Sequence, residues 1–407
     1  MLSLQVLFLP LERRRVRQLW IANFISNLGS WGQTFTLSWQ VTDISHSPAM
    51  IALVQTLIWL PMVLLALPIG ILADQLNKQK ILFFSNIGAA VCALLLCVLN
   101  YSEHTSVAPM LLVFFFSSLG NAITLPIWQS SIAELVEPNE YAALASLNNL
   151  SFNIAACLAP ALARCLIPQY GSATIYLFNA ASFVYLVALY YQSFSNTMDH
   201  GLQQGIQTVK QVLRESVRGA SSISVSHDLM DLLCNVFIIY FLTSSLPSLL
   251  PLFQTQGGTN GLNDYGTRLS AFYSGAIAIA FFMPYYRRFL KEKTIMQMAT
   301  ICFGLLLAVL SQLNSTLAIT LCMGLLGAAS SCIVTSFNYS ILLSSNTDFR
   351  SRSIGLLVLT TAIAQAAGSF FWGQFATLVN IDTSFLVAGI MLFDFAVLQT
   401  FRTKLKK

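Results

Sequence analysis

Twelve stretches of roughly twenty residues, each dominated by apolar side chains, leave this chain few ways to fold. They run Trp20–Val41, Met50–Ala73, Ile81–Tyr101, Val107–Ile127, Leu144–Ile167, Ala173–Tyr191, Leu232–Phe253, Leu269–Tyr286, Ile295–Leu313, Leu317–Leu342, Ser353–Val379 and Ser384–Phe401. A hydrocarbon core about 30 Å thick is crossed by about 20 helical residues, so each run can span a bilayer. Inside lipid every backbone N–H and C=O needs a partner within the protein, which leaves helices or closed barrels. The short alternating segments of a membrane barrel do not recur here. With 56% hydrophobic and 9% charged residues, the chain is also far from a soluble composition. The expectation is an all-α integral membrane protein with twelve transmembrane helices in two six-helix halves.

The charges orient it. Lys and Arg stay on the cytoplasmic side of a membrane, and nineteen of the 21 basic residues fall in alternate connections and at the two ends. Only Arg164 and Arg268 fall toward the other side. Both termini are therefore expected in the cytoplasm. A basic inner rim accounts for the net charge of +5 without nucleic acid. The opening "MLSLQVLFLPLERRR" places its basic residues after the apolar stretch, the reverse of a secretory signal, and is read as a retained cytoplasmic lead-in. All eight cysteines lie within apolar runs without CxxC pairing, as small hydrophobes do, and call for neither disulfide nor metal.

A polar interruption divides the runs six and six: residues 1–194 form an N-terminal half, 195–231 a cytoplasmic linker and 232–407 a C-terminal half. Within the linker, Ile206, Val209, Val212, Leu213 and Val217 recur at helical spacing opposite Lys210, Arg214 and Arg218, the pattern of an amphipathic surface helix. "NEYAALASLNNLSFNIAACLAPAL" aligns with "TDFRSRSIGLLVLTTAIAQAAGSF", pairing Glu140 with Asp348, Tyr141 with Phe349, Ala156 with Ala364 and Pro160 with Gly368. Parallel halves of this kind bind cargo at their interface near the membrane midplane.

In "GILADQLNKQKIL" the pattern Gly70-x-Leu72-Ala73-Asp74, followed by Lys78 and Leu82, resembles the loop 2–3 signature of the major facilitator superfamily, with Gln75 and Asn77 where that pattern carries Arg and Gly. "ELVEPNEYAALASLNNLSFNIA", "APALA" and "DFRSRSIGLL" are similar to the branch holding enterobactin exporters and macrolide-efflux proteins. The exporters' fifth-helix signature is echoed in Cys157-x-Ala159-Pro160-Ala161, with Ala for Gly. This resemblance implies the major facilitator fold and a drug:proton antiporter type of transport. It also implies a bacterial inner membrane and a gate at the cytoplasmic loops. Physics gives Asp74 a part in that gate. An anion is disfavoured at the C-terminus of its own helix and favoured at another helix's N-terminus. The eleventh run begins on the same face, behind Arg350 and Arg352. Gly70 would allow close backbone approach, and Lys78 would hold the turn at the headgroups.

Polar stripes step by three or four along three runs: Asn23, Asn27, Ser30, Thr34 and Ser38; Ser117, Asn121, Thr124 and Trp128; Thr361, Gln365, Ser369 and Trp372. Such faces turn away from lipid. With Asn149, Asn153, Tyr240, Thr243, Ser331, Thr335, Trp31, Trp39 and Trp59 they outline a neutral, aromatic-edged candidate cavity. Ionisable residues within runs are candidates by default. Arg164 suits an anionic group on a substrate, Asp394 suits a structural partner, and Asp231 lies at a run's entry.

These features suit a monomeric secondary transporter without a cofactor, embedded among lipids, moving a small amphipathic molecule, siderophore-like or drug-like, by proton-coupled export. Uptake of a nutrient or iron chelate and lysolipid flipping are the transport alternatives. The rival class, a membrane-embedded enzyme, would need a convergent acid–base or metal constellation. His46, His104, His200 and His227 are scattered in loops and at run edges.

Overall fold

The computed structural model describes residues 8–75, 77–101, 106–194, 227–253, 259–344 and 350–405. The side chains of 66–75, 138, 142, 192–194, 227–228, 259, 284, 342–344, 350–352 and 401–405 lie outside the description. The long helices are α1 (Arg14–Ser45), α2 (Pro48–Gln75), α3 (Lys78–Asn100), α4 (Val107–Ala133), α5 (Tyr141–Tyr170), α6 (Ala173–Phe194), α7 (His227–Thr243), α8 (Thr259–Phe289), α9 (Glu292–Leu310), α10 (Thr316–Ser344), α11 (Arg350–Leu378) and α12 (Ile381–Leu405). No strand occurs among the described residues.

Ten of these helices are long and apolar enough to cross a membrane, α7 counting together with the short segment that follows it. The twelve expected spans are thus matched by composition for ten. Helices α1 and α8 are as long but more polar. The first opens on Arg14, Arg15 and Arg17 and carries the Asn23–Thr34 stripe; the second carries Asp264 and Arg268 at one end and Arg287 and Arg288 at the other. The amphipathic helix expected around 206–217 lies outside the described residues.

Local chemistry sets several helix ends. Asn77 Oδ1 accepts from the N–H groups of Gln79 at 3.0 Å and Lys80 at 3.3 Å, an N-cap that starts α3. Gly171, at φ 78°, ends α5 with its N–H on the Ile167 carbonyl. Helix α7 gives way at Ser244 to a short helix, Ser245–Leu249, and a 3-10 turn, Leu250–Leu252. Pro247 and Pro251 each remove a backbone donor there. Ser244, Ser245 and Ser248 hydroxyls donate to the carbonyls of Phe241, Leu242 and Ser244, and the Phe241 carbonyl also accepts from Trp372 Nε1 at 2.9 Å.

The chain divides into two compact units that do not break at its midpoint. The first takes Met1–Thr36, Pro61–Ala159 and Leu166–Ser224; the second takes Leu37–Leu60, Pro160–Cys165 and Val225–Lys407. In the first unit Val16 and Leu19 of α1, Leu82 and Ala89 of α3, Trp128 and Ile132 of α4, and Phe183 and Leu186 of α6 form one buried cluster. A buried polar link crosses the same helices: Asn179 Nδ2 donates to Gln33 Oε1 at 2.8 Å, and Gln33 Nε2 donates to Ser117 Oγ at 3.1 Å. Each amide is thereby satisfied without water, as lipid depth requires.

In the second unit α8 and α10 meet backbone to backbone. A Cβ on Gly275 would stand 1.8 Å from the Gly324 carbonyl oxygen. Without a hydrophobic force between helices in lipid, such close van der Waals approach is what holds them. Leu317, Leu321 and Leu325 stand exposed at four-residue steps on α10, an apolar face suited to acyl chains.

Candidate functional site

The basic end of the first unit is held by an acidic loop. Arg13 pairs with Glu137 at 2.9 Å and with Glu140 at 3.1 Å, and donates to the Leu135 carbonyl at 3.1 Å. Glu140 also accepts from the Glu137 N–H at 2.9 Å. Lys78, the first residue of α3, lies 2.6 Å from Glu134 just past α4. The 134–143 connection has no basic residue of its own, yet its acids answer bases from α3 and the start of the chain. The three-residue spacing of Glu134, Glu137 and Glu140 in "ELVEPNE" was the available sign.

Of the five gating candidates, Lys78 alone has a described side chain. Gly70 and Asp74 fall in the last turns of α2, and Arg350 and Arg352 in the first turn of α11, with side chains outside the description. Ser353, one residue on, is buried.

The cavity candidates fall into two sets, each on its own unit. On the first, Asn23, Asn27 and Thr34 are half-buried along α1, and the Thr34 hydroxyl donates to the Ser30 carbonyl at 3.0 Å. Asn121 is exposed and Thr124 half-buried on α4, whereas Trp128 sits in the hydrophobic cluster at 4% exposure. Asn153 Nδ2 turns back to the Asn149 carbonyl at 2.8 Å. Trp31 of α1 packs edge-on against Phe152 of α5, centroids 5.4 Å apart.

On the second unit, Tyr240 is half-buried with its ring 5.9 Å from Phe337. Thr361 and Gln365 are half-buried on α11, and the Gln365 carboxamide oxygen has no protein partner. Ser369 and Trp372, further along the same stripe, are fully buried. These faces offer neutral amides and hydroxyls beside aromatic rings, which suits a cargo with both polar and apolar parts.

Both basic residues outside the rim belong to the second unit. The Arg164 guanidinium donates to the Thr267 hydroxyl on α8, which itself donates to the Asn263 carbonyl at 2.7 Å. Arg268 is 2% exposed; it donates to the Phe253 carbonyl at 2.5 Å, pairs with Asp264 at 3.5 Å and lies 5.6 Å over the Phe253 ring. Sequence reasoning noted its side but gave it no role. Asp394 is exposed on α12 among Ile390, Met391 and Leu398.

Over residues 6–407 the chain matches the family described as transmembrane secretion effector. It belongs to that family, within the major facilitator superfamily, and with ten helices able to cross a membrane it is a multi-pass membrane protein. The staphyloferrin A transporter of Staphylococcus aureus (strain NCTC 8325 / PS 47) is 24% identical over 170 residues, 41% of this chain and 43% of that protein. The uncharacterized MFS-type transporter YfiS of Bacillus subtilis (strain 168) is 24% identical over 39% of this chain and 37% of its own length. The alignment thus spans under half the length of either curated relative. A POT family transporter crystallised with 5-aminolevulinic acid superposes with a TM-score of 0.73 at 12% identity, covering 97% of both chains. The nucleoside transporter NupG gives 0.67 at 15% identity, covering 95% of this chain and 98% of its own. At such identities the likeness concerns the fold.

Proposed function

We propose that this chain is a secondary active transporter that exports a small amphipathic molecule across the bacterial inner membrane by alternating access, driven by a proton gradient. The match to a secretion effector family along nearly the whole chain carries this reading. In it all twelve long helices span the membrane as two six-helix halves, 1–194 and 232–407, joined by the 195–231 linker, and the protein works as a monomer with both termini cytoplasmic. Asn23, Asn27, Thr34, Asn121, Thr124, Trp128, Asn153, Tyr240, Thr361 and Gln365 line the path of the cargo. Gly70, Asp74, Lys78, Arg350 and Arg352 form its cytoplasmic gate. The staphyloferrin A transporter among its relatives supports a cargo of that kind over a drug-like one.

The test compares accumulation of siderophore-like and drug-like compounds in cells with and without the gene, before and after collapse of the proton gradient. Export predicts lower accumulation with the gene and loss of the difference when the gradient is removed. Equal accumulation throughout rejects the reading; higher accumulation with the gene reverses its direction.

A further inference from the structure

Arg164 lies inside the apolar window of α5, Ala143–Tyr170, and is the one charged residue in it. Six residues separate it from the end of that helix, a rise of about 9 Å, so its backbone stands well within the apolar segment. The stem of the side chain is pressed against α8: a Cβ on Gly266 would stand 3.0 Å from both its Cβ and its Cδ. At the tip, Nη1 donates to the Thr267 hydroxyl, whose own proton goes to the Asn263 carbonyl. The Nε–H is buried and has no partner. All of these groups belong to the second unit.

The two edges of this guanidinium differ in use. Its Nη1 side is taken by a neutral hydroxyl. Its Nε–Nη2 side, where two N–H bonds run parallel, is the fork that matches a carboxylate. The same unit shows that fork filled at Arg287, whose Nε and Nη2 each donate to one oxygen of Glu292 at 3.0 Å. Arg164 has no equivalent of Glu292. Asp264, one turn before Thr267, pairs with Arg268 at 3.5 Å, and no acid among the described residues pairs with Arg164. An unpaired cation and an unmade buried N–H in an apolar span are both costly, and a charge kept there has a partner to meet.

We infer, building on the transport function proposed above, that the Nε–Nη2 edge of Arg164 receives a carboxylate carried by the cargo, which makes the cargo an ionised carboxylic acid. Each carboxylate oxygen accepts one N–H, as Glu292 does on Arg287, and its single negative charge offsets the single positive charge of Arg164. A phosphate dianion would bring two charges to one guanidinium, because the neighbouring Arg268 is already engaged by Asp264 and the Phe253 carbonyl.

Thermal unfolding of the purified full-length protein in neutral detergent, titrated with hippurate as an amphipathic monocarboxylate, tests this without a gradient or a direction of transport. Hippurate should raise the melting temperature saturably. Hippuramide, its uncharged counterpart, and inorganic phosphate should bind at least roughly tenfold more weakly, the size of one charge-assisted hydrogen bond. Arg164→Lys, which keeps the charge and loses the fork, should weaken hippurate by a similar factor, and Arg164→Gln should abolish its shift. Without any ligand, Arg164→Gln should melt at or above the wild-type temperature, because it removes an unpaired charge from an apolar span. No hippurate shift, an equal shift with hippuramide or phosphate, an unchanged hippurate shift in Arg164→Gln, or a lower melting temperature of unliganded Arg164→Gln would each overturn the proposal. The last outcome would make Arg164 a tie between α5 and α8. A failure of proton-driven export in the accumulation assay would leave the hippurate shift intact, so the two readings fail separately.

Discussion

Arg13 reaches two acids at once: its guanidinium lies 2.9 Å from Glu137 and 3.1 Å from Glu140. The side chain of Glu140 is 8% exposed, whereas that of Glu134, the partner of Lys78, is 63% exposed. Exposed ion pairs contribute about 0–1 kcal/mol, while removing the partner of a buried charge costs about 3–5 kcal/mol. Since Arg13 is itself 39% exposed and Glu140 keeps the Glu137 N–H, the lower part of that second range applies. Arg13→Gln should lower the melting temperature clearly, and Lys78→Gln hardly at all. Differential scanning fluorimetry in detergent decides; equal shifts would show that the two pairs are equivalent.

Gly275→Ala should disrupt the second unit, because its new Cβ meets the fixed carbonyl of Gly324 rather than a movable side chain. Overpacking of this kind costs about 1–3 kcal/mol. Gly355→Ala is the control: nothing lies within 4 Å of its added Cβ, and replacing a helical Gly by Ala gains up to about 1 kcal/mol. Fluorescence-detected size exclusion of both variants should show loss of monodisperse protein for the first only.

Arg268→Leu removes the donor to the Phe253 carbonyl and strands Asp264. Asp264 is 35% exposed and stays hydrated, so the expected loss is roughly 1–3 kcal/mol, the cost of leaving the buried Phe253 carbonyl without its donor. Arg268→Lys keeps the charge but not the planar fork and should fall between Leu and wild type. If Arg268→Leu melts like wild type, the residue is not a tie between α8 and the end of the broken α7 segment.

Much of this was legible beforehand, and the limits have physical causes. Hydropathy reports the solvent around a segment, so the helices were found to within a few residues at most ends. It is blind to what a polar side chain meets across the fold. Arg268 precedes the apolar run that begins at Leu269, and was placed outside it; α8 starts earlier, at Thr259, because a buried carbonyl and Asp264 receive the guanidinium. The α4 stripe was read as one face turned away from lipid; what each member meets there was not legible, and Ser117 accepts from Gln33 while Trp128 packs in the hydrophobic cluster and Asn121 and Thr124 are more open. Pro247 and Pro251 were visible in a run taken as continuous, and the break at Ser244 follows from them.

On the proposed gate, Asp74→Asn keeps shape and removes charge, so it should weaken the inward-closed state by about 0.3–2 kcal/mol. Transport should fall at equal expression and melting temperature. A single cysteine at Ser353, which is buried at the start of α11, should then label faster from the cytoplasm. The eight native free cysteines would be replaced first. Unchanged labelling with normal transport would remove Asp74 from the gate.

The second unit draws on residues from both ends of the sequence: a Cβ on Gly373 would stand 2.3 Å from Ala52 Cβ, and Ile51, Ala52 and Val54 are buried. A chimera that joins residues 1–194 of this protein to the C-terminal part of a relative would therefore import a foreign surface opposite Ala52. Recombination at the linker is not neutral shuffling of cassettes. The segment 37–60 should co-inherit with α11, and grafting it along with the C-terminal part is the exchange this architecture tolerates.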